Sequence, residues 1–183
     1  MNAFFCLYSL LTPVIERAEI MFERTRPLLV LANEIGAHLK SKKETIAVAE
    51  SSSGGLISAA LLSVPGASLY FLGGGVIYTR EARRALLGFS ENEVSMRAAT
   101  EEYAALVAET IRDQLGATWG LGETGASGPT GNSYGDPAGH TAMAAVGPEN
   151  KSAILETGSD NRESNMLRFA EGTLHLLRSL LNS

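Results

Sequence analysis

The run Glu50-Ser51-Ser52-Ser53-Gly54-Gly55 sets a carboxylate, three hydroxyls and two glycines side by side. It follows a short apolar, β-branched run at Thr45 to Ala49 and precedes an apolar run, Gly55 to Val64, with helical character. Where a strand hands over to a helix, the first helical amides lack partners and the helix dipole adds to them, so positive potential converges on one spot. That spot suits a phosphate or a developing oxyanion, and a serine beside it becomes a nucleophile where a base is near. The same residues also read as a capped helix start with glycines that allow close packing.

Three further segments carry chemistry. Gly73 to Arg84, GGGVIYTREARR, puts Tyr78 at a strand end and Arg83 on or near the next helix, groups that orient a substrate or neutralise a phosphate. The plain alternative is a solvated helix face made by Arg80, Arg83 and Arg84. Glu123 to Pro129, ETGASGP, ends another strand with a carboxylate and follows it with small residues, whose amides suit an anion nest or simply a turn. Arg162 stands at the start of the last helix, where a cation opposes the dipole by a few tenths of a kcal/mol. Its side chain therefore has another use, with a negatively charged ligand or the nearby Asp160 as its partner.

The elements that must position these groups follow from periodicity and punctuation. Pro27 opens a helix with Leu28, Leu31, Ile35 and Leu39 on one face. A strand region from Leu69 to Thr79 is interrupted by Gly73, Gly74 and Gly75, which predicts a bulge or a close backbone approach. Helices are expected over Arg80 to Leu87, ending at Gly88, and from a Thr100 cap through Tyr103, Leu106, Val107, Ile111 and Leu115 to Gly116. Thr118 to Glu123 reads as a strand and Thr124 to Gly139 as a long irregular loop. Strands at His140 to Val146 and Ser152 to Thr157 precede a final helix, Arg162 to Leu181, capped by Asp160 or Asn161, with Met166, Phe169, Leu174, Leu177 and Leu181 facing inward. Alternating elements that end in a strand hairpin predict an α/β fold, a three-layer sandwich around a mixed sheet, with ligands gathering outside the carboxyl ends of the strands. The three loops Glu50 to Gly55, Tyr78 to Arg84 and Glu123 to Pro129 converge there.

Composition narrows the class. A chain of 183 residues with 45% hydrophobic content buries about 70% of its unfolded surface as one domain. The net charge of −5, with scattered arginines and lysines, gives no positive field for a nucleic acid. Cys6 is the sole cysteine, which fits a reducing compartment, and His38, His140 and His175 read as surface or packing residues. Phe4 to Leu11 is apolar, but it lacks a basic n-region and is too short to cross a bilayer, so a cytoplasmic location with no membrane contact is expected. Residues 1–22 are taken as an N-terminal arm, with Met21 an alternative start, and residues 23–183 as the domain.

AESSSGG at Ala49 to Gly55, SVPGAS at Ser63 to Ser68, GGGVIYTREAR at Gly73 to Arg83 followed by LLG, TGASGP at Thr124 to Pro129, and Gly158 to Arg162 stand in one order and spacing. Together they resemble the CinA C-terminal domain family, a competence/damage-inducible protein family also known as nicotinamide mononucleotide (NMN) amidohydrolases of the PncC type. The resemblance runs from about Leu28 to the C-terminus. It implies a CinA-like three-layer fold and a hydrolase of pyridine-nucleotide (NAD) recycling, one that deamidates NMN to nicotinic acid mononucleotide and ammonia without metal or cofactor. On the matching positions Ser51 would be the nucleophile, with Tyr78 positioning or activating it. Glu50, Ser53, Gly54, Gly55, the Thr124, Gly125, Ser127 and Gly128 turn, and Arg162 would hold the ribose phosphate and the developing charge. A homo-oligomer is expected, with the glycine-rich strand and the N-terminal arm suited to a subunit contact.

The chain departs from this pattern where it matters most. The family's catalytic lysine falls at Arg83, and a guanidinium with a pKa above about 12 cannot accept a proton as a general base near neutral pH. Lys40, Lys42, Lys43 and Lys151 all lie outside the motifs. Glu123 replaces a small apolar residue, and Asp136 stands where a lysine is common. An ion pair between Glu123 and Arg83 is the expectation that links the first two changes, leaving Glu123 or Glu50 as base. The alternative is a catalytically silent nucleotide-binding protein. A role in DNA handling finds no support in the acidic charge.

Overall fold

The computed structural model describes the backbone of residues 3–182 and the side chains of residues 23–182. The expected N-terminal arm, residues 1–22, thus lies outside the described side chains. Helix α1 spans Ala3–Lys42, so Pro27 lies within a longer helix instead of opening one. The predicted apolar face holds: Leu28, Leu31, Ile35 and Leu39 are all buried. The remaining elements are β1 (Ile46–Glu50), α2 (Leu56–Leu62), β2 (Phe71–Val76), α3 (Arg80–Leu87), α4 (Glu91–Ser95), α5 (Glu101–Leu115), β3 (Trp119–Ala126), β4 (His140–Val146), β5 (Lys151–Glu156) and α6 (Arg162–Leu181).

The five strands form one mixed sheet in the order β2-β1-β3-β4-β5. Strand β1 lies between β2 and β3 and runs parallel to both, while β4 pairs antiparallel with the central β3 and β5 with β4. Alternation along each strand divides the core into two sides. Ile46, Val48, Trp119, Leu121, Met143 and Ala145 pack with α1, α2 and α6. Ala47 and Ala49 join α3, α4 and α5 around Tyr103, Val107 and Ile111 on the other face. The fold is therefore α/β with helices on both sides of a mixed sheet.

Glycines in β3 bring α5 against the sheet backbone. A Cβ on Gly122 would lie 2.0 Å from the Ala104 carbonyl oxygen, and one on Gly120 would lie 2.1 Å from that of Ala108. The predicted irregularity in β2 is a register shift at its entry, where Ile46 pairs with Phe71 and Ala47 with Gly73. The strand then runs unbroken through the three glycines. Strand β3 continues through Thr124, Gly125 and Ala126, which pair with Ala142, Thr141 and His140. The predicted loop thus begins three residues too early, because ladder bonds to β4 override the loop character of those small residues. Helix α4 was not expected. Its five residues are set by a capping box between Ser90 and Glu93.

Candidate functional site

The carboxyl ends of β1, β2 and β3 bring the three predicted segments together, as parallel strands require. Gly54 and Gly55 turn the chain into α2 with φ of 67° and 98°, a region that favours glycine. The amides of this turn are not free, however. Glu50, wholly buried, accepts from the Gly55, Ile57 and Ser58 amides at 3.0 Å each, from Ser58 Oγ at 2.6 Å and from Ser53 Oγ at 2.9 Å. Glu123, 1% exposed, accepts from the Ser51 amide at 3.1 Å, the Ser53 amide at 2.9 Å, Ser53 Oγ and Thr141 Oγ1 at 2.8 Å, and the Ser52 hydroxyl. The chain's own carboxylates fill the nest that the sequence reading left open for a ligand.

Register explains the arrangement. Ala49 pairs with Gly122, so one step further sets Glu50 beside Glu123, both on the side of the sheet that carries α2. Amides and hydroxyls take the place of a cation for both, and the single Ser53 proton lies between the two. No lysine or arginine lies within 4 Å of either carboxylate among the described residues.

The expected Glu123–Arg83 ion pair does not form. Arg83, 8% exposed, packs on the opposite side of the sheet with its Cζ 4.8 Å from the centre of the Tyr103 ring. Its Nη1 donates to the Val94 carbonyl at 3.1 Å, and its Nε has no acceptor. The Tyr103 hydroxyl is likewise without a partner, and burial pushes it up to about 12 against the opposing charge of Arg83. The sheet itself separates the two charges, since strand alternation sends Glu123 towards α2 while α3 lies on the other face.

Arg83 has a neighbour that the sequence reading missed. Tyr134, in the loop between β3 and β4, packs against the same cluster as Tyr103. Burial pushes its phenol up, but Arg83, the Ala98 backbone and Arg80 beside it outweigh burial and hold it below its ordinary value. A tyrosine in a glycine-rich loop carries no spacing signal that ties it to a distant arginine.

Tyr78 is exposed just past the end of β2, and its hydroxyl accepts from Arg162 Nη2 at 3.2 Å. Arg162 Nη1 donates to the Gly128 carbonyl at 2.8 Å, so this side chain joins the second and third segments instead of pairing with Asp160. Ser51 is half-buried, and its hydroxyl makes no hydrogen bond among the described residues. Thr124 and Gly125 belong to β3, where Thr124 Oγ1 accepts from the Ala99 amide at 3.4 Å. Ser127 is buried, and its carbonyl accepts from Asn165 Nδ2 at 2.9 Å.

His140 and Asn165, also missed, hold the rim. Asn165 Nδ2 bonds the Ser127 and Ser159 carbonyls and so pins the loop to the start of α6. His140, at the first residue of β4, sits between the Glu156 carboxylate and the Ala99 carbonyl, the latter 2.9 Å from Nε2. Both neighbours offer acceptor oxygens, which favours the form of the ring that donates from both nitrogens. Burial lowers the His140 pKa, but Glu156 and the Ala99 carbonyl, with Asp136 at longer range, outweigh it and raise the value. Ala99 itself has a φ of 58°, an uncommon conformation for alanine that Thr124 and His140 hold in place. No group of three metal-ligating side chains occurs among the described residues, and no described helix is long and apolar enough to cross a membrane.

Comparison with known proteins agrees with this architecture. The CinA C-terminal domain model matches residues 29–181. A CinA-like protein of Desulfosudis oleivorans is 38% identical over 155 residues, covering 84% of this chain and 38% of that protein. A CinA-like protein of Myxococcus xanthus is 39% identical over 147 residues, covering 78% and 34%. The chain therefore spans well under half the length of these relatives. Among solved structures, the competence/damage inducible protein CihA from Agrobacterium tumefaciens superposes with a TM-score of 0.78 at 27% identity, covering 86% of this chain and 96% of that one. A CinA superfamily protein from Escherichia coli, at 24% identity and a TM-score of 0.78, shares the fold over 84% and 90% of the two chains. Matched over most of its length, this chain belongs to the CinA C-terminal domain family.

Proposed function

We propose that this CinA-like chain binds a pyridine mononucleotide at the carboxyl end of its sheet and does not hydrolyse it through a serine/lysine pair. The observation that carries this reading is the state of Arg83. It occupies the position of the expected base, is buried on Tyr103 and donates to the Val94 carbonyl, and a guanidinium does not give up its proton near neutral pH. Neither buried carboxylate stands in for it, since the hydrogen bonds of Glu50 and Glu123 are made to other amides and hydroxyls and none to the Ser51 hydroxyl. The cytoplasm is the proposed location. Residues 23–183 are proposed as one domain with an N-terminal arm, and the edge strand β2 as the contact in a homo-oligomer.

The amidohydrolase reading has one observation in its favour: the Ser51 hydroxyl is partly exposed and uncommitted, and the Tyr78–Arg162 pair stands at the neighbouring strand end. In that reading Ser51 attacks the carboxamide carbon of NMN, and ammonia leaves before water releases nicotinic acid mononucleotide. Ammonia release from NMN separates the two readings. The binding reading predicts no turnover by the parent protein and recovery in Arg83→Lys. Turnover by the parent that is lost in Ser51→Ala would overturn it.

A further inference from the structure

The donors of the helix start are committed to Glu50 and Glu123, so an anionic ligand must find its charge partner elsewhere. Five arginines, Arg26, Arg84, Arg97, Arg112 and Arg178, each pair with a carboxylate within 4 Å. Arg24 and Arg168 lack a carboxylate within 4 Å among the described residues, but they line an open cleft that contains Glu171, which Arg168 feels at longer range. Arg80, Arg83 and Arg162 have no carboxylate within 4 Å among the described residues. All three border the turn from β2 into α3. Arg162 reaches Tyr78 there, Arg80 is the first residue of α3, and Arg83 lies one turn further on.

Three guanidinium groups with no carboxylate within 4 Å, at one turn of an acidic chain, are a local concentration of positive charge whose partners are neutral carbonyls and phenols. Arg83 is the most costly of them. It is more than nine-tenths buried, one of its donors is used by a carbonyl, its Nε is unsatisfied, and the adjacent Tyr103 hydroxyl is unsatisfied as well. A buried cation without an anion is strongly destabilising unless something supplies the counter-charge. The Tyr134 phenol stands between Arg83 and Arg80 and hydrogen-bonds with both, a neutral partner that brings no counter-charge.

We infer that the site takes a mononucleotide carrying two anionic groups: a phosphate held by Arg162 and Tyr78, and a carboxylate on the base held by Arg83 and Arg80. This rests on the proposed pyridine-nucleotide reading and deepens it, since it makes the acid and not the amide the preferred ligand. A carboxylate offers a guanidinium two charged acceptors in one plane. A carboxamide offers one neutral acceptor and turns its own N–H donors towards the arginines.

Calorimetric titration with nicotinic acid mononucleotide, NMN and inorganic phosphate tests the inference, with Arg83→Met, Arg83→Lys and Arg80→Met alongside and thermal melting to confirm that each variant folds. The acid nucleotide is expected to bind at least tenfold more tightly than NMN. That gap should shrink to under twofold in Arg83→Met and in part in Arg83→Lys and Arg80→Met, while inorganic phosphate binding changes less than twofold. Equal affinity for acid and amide would overturn the inference and leave the pyridine-nucleotide reading standing. So would a gap that survives in all three variants. Failure of both nucleotides to bind would overturn the two together.

Discussion

The two faces of the sheet meet at one edge of the site with opposite charges, and they satisfy them in opposite ways. On the α2 side, Glu50 and Glu123 lie side by side without a cation, yet nine amide and hydroxyl donors of the turn and its surroundings face them, the Ser53 hydroxyl being shared by the two. On the α3 side, Arg83 is buried with one carbonyl, the Tyr134 phenol and an aromatic face, all of them neutral, and an unused Nε. The acidic face is a finished structural unit, whereas the basic face is complete only with something added. Burial alone therefore does not distinguish structural from functional charge. The count of satisfied partners does.

The largest expected effect falls on the finished face. Glu123→Leu removes the acceptor of two amides and three hydroxyls, and should cost about 3–5 kcal/mol in urea unfolding, the range for unsatisfied buried donors and a broken buried polar network. Glu123→Gln keeps the shape but replaces one acceptor with a donor, so about 2 kcal/mol is expected. A loss below about 0.5 kcal/mol in either variant would mean that the nest does not depend on Glu123.

The matching change on the open face should behave in the opposite sense. Arg83→Met removes a buried cation that has no counter-ion, and stability should stay within about 1 kcal/mol of the parent or rise. A loss of 3 kcal/mol or more, on the order expected for breaking a buried charge pair, would place a partner at Arg83 and erase the contrast.

The smallest effect concerns His140, at the start of β4. Its folded pKa is raised above the unfolded value near 6.5. The stability it contributes is therefore fully present below the unfolded pKa and is lost as pH rises through the folded one. Glu156→Gln should flatten this part of the stability profile, measured as melting temperature against pH from about 5.5 to 8. An unchanged slope would remove His140 from the account.

Much of this site was legible in the residues. Helices α3 and α6 start and stop where their cap and glycine signals place them, and the convergence of three loops follows from parallel strands. What failed was information carried between elements. The alternation Trp119, Leu121, Glu123 assigns Glu123 to the Trp119 face, but only the pairing of β1 with β3 sets it beside Glu50, and only the placement of α3 sets Arg83 on the far side. An ion pair expected from two linked substitutions was thus divided by the sheet. Thr124 to Ala126 looked like loop because small residues carry little strand signal, and the ladder to β4 decided their state.

The contrast between a filled nest and an open arginine cluster is tested most directly by following backbone amides and arginine Nε–H groups by nuclear magnetic resonance during titration with nicotinic acid mononucleotide. Shifts are expected at the Nε–H groups of Arg80, Arg83 and Arg162, while the Ser51 and Ser53 amides, bonded to Glu123, stay in place. Large shifts at the Ser51 and Ser53 amides with the arginines unmoved would contradict it.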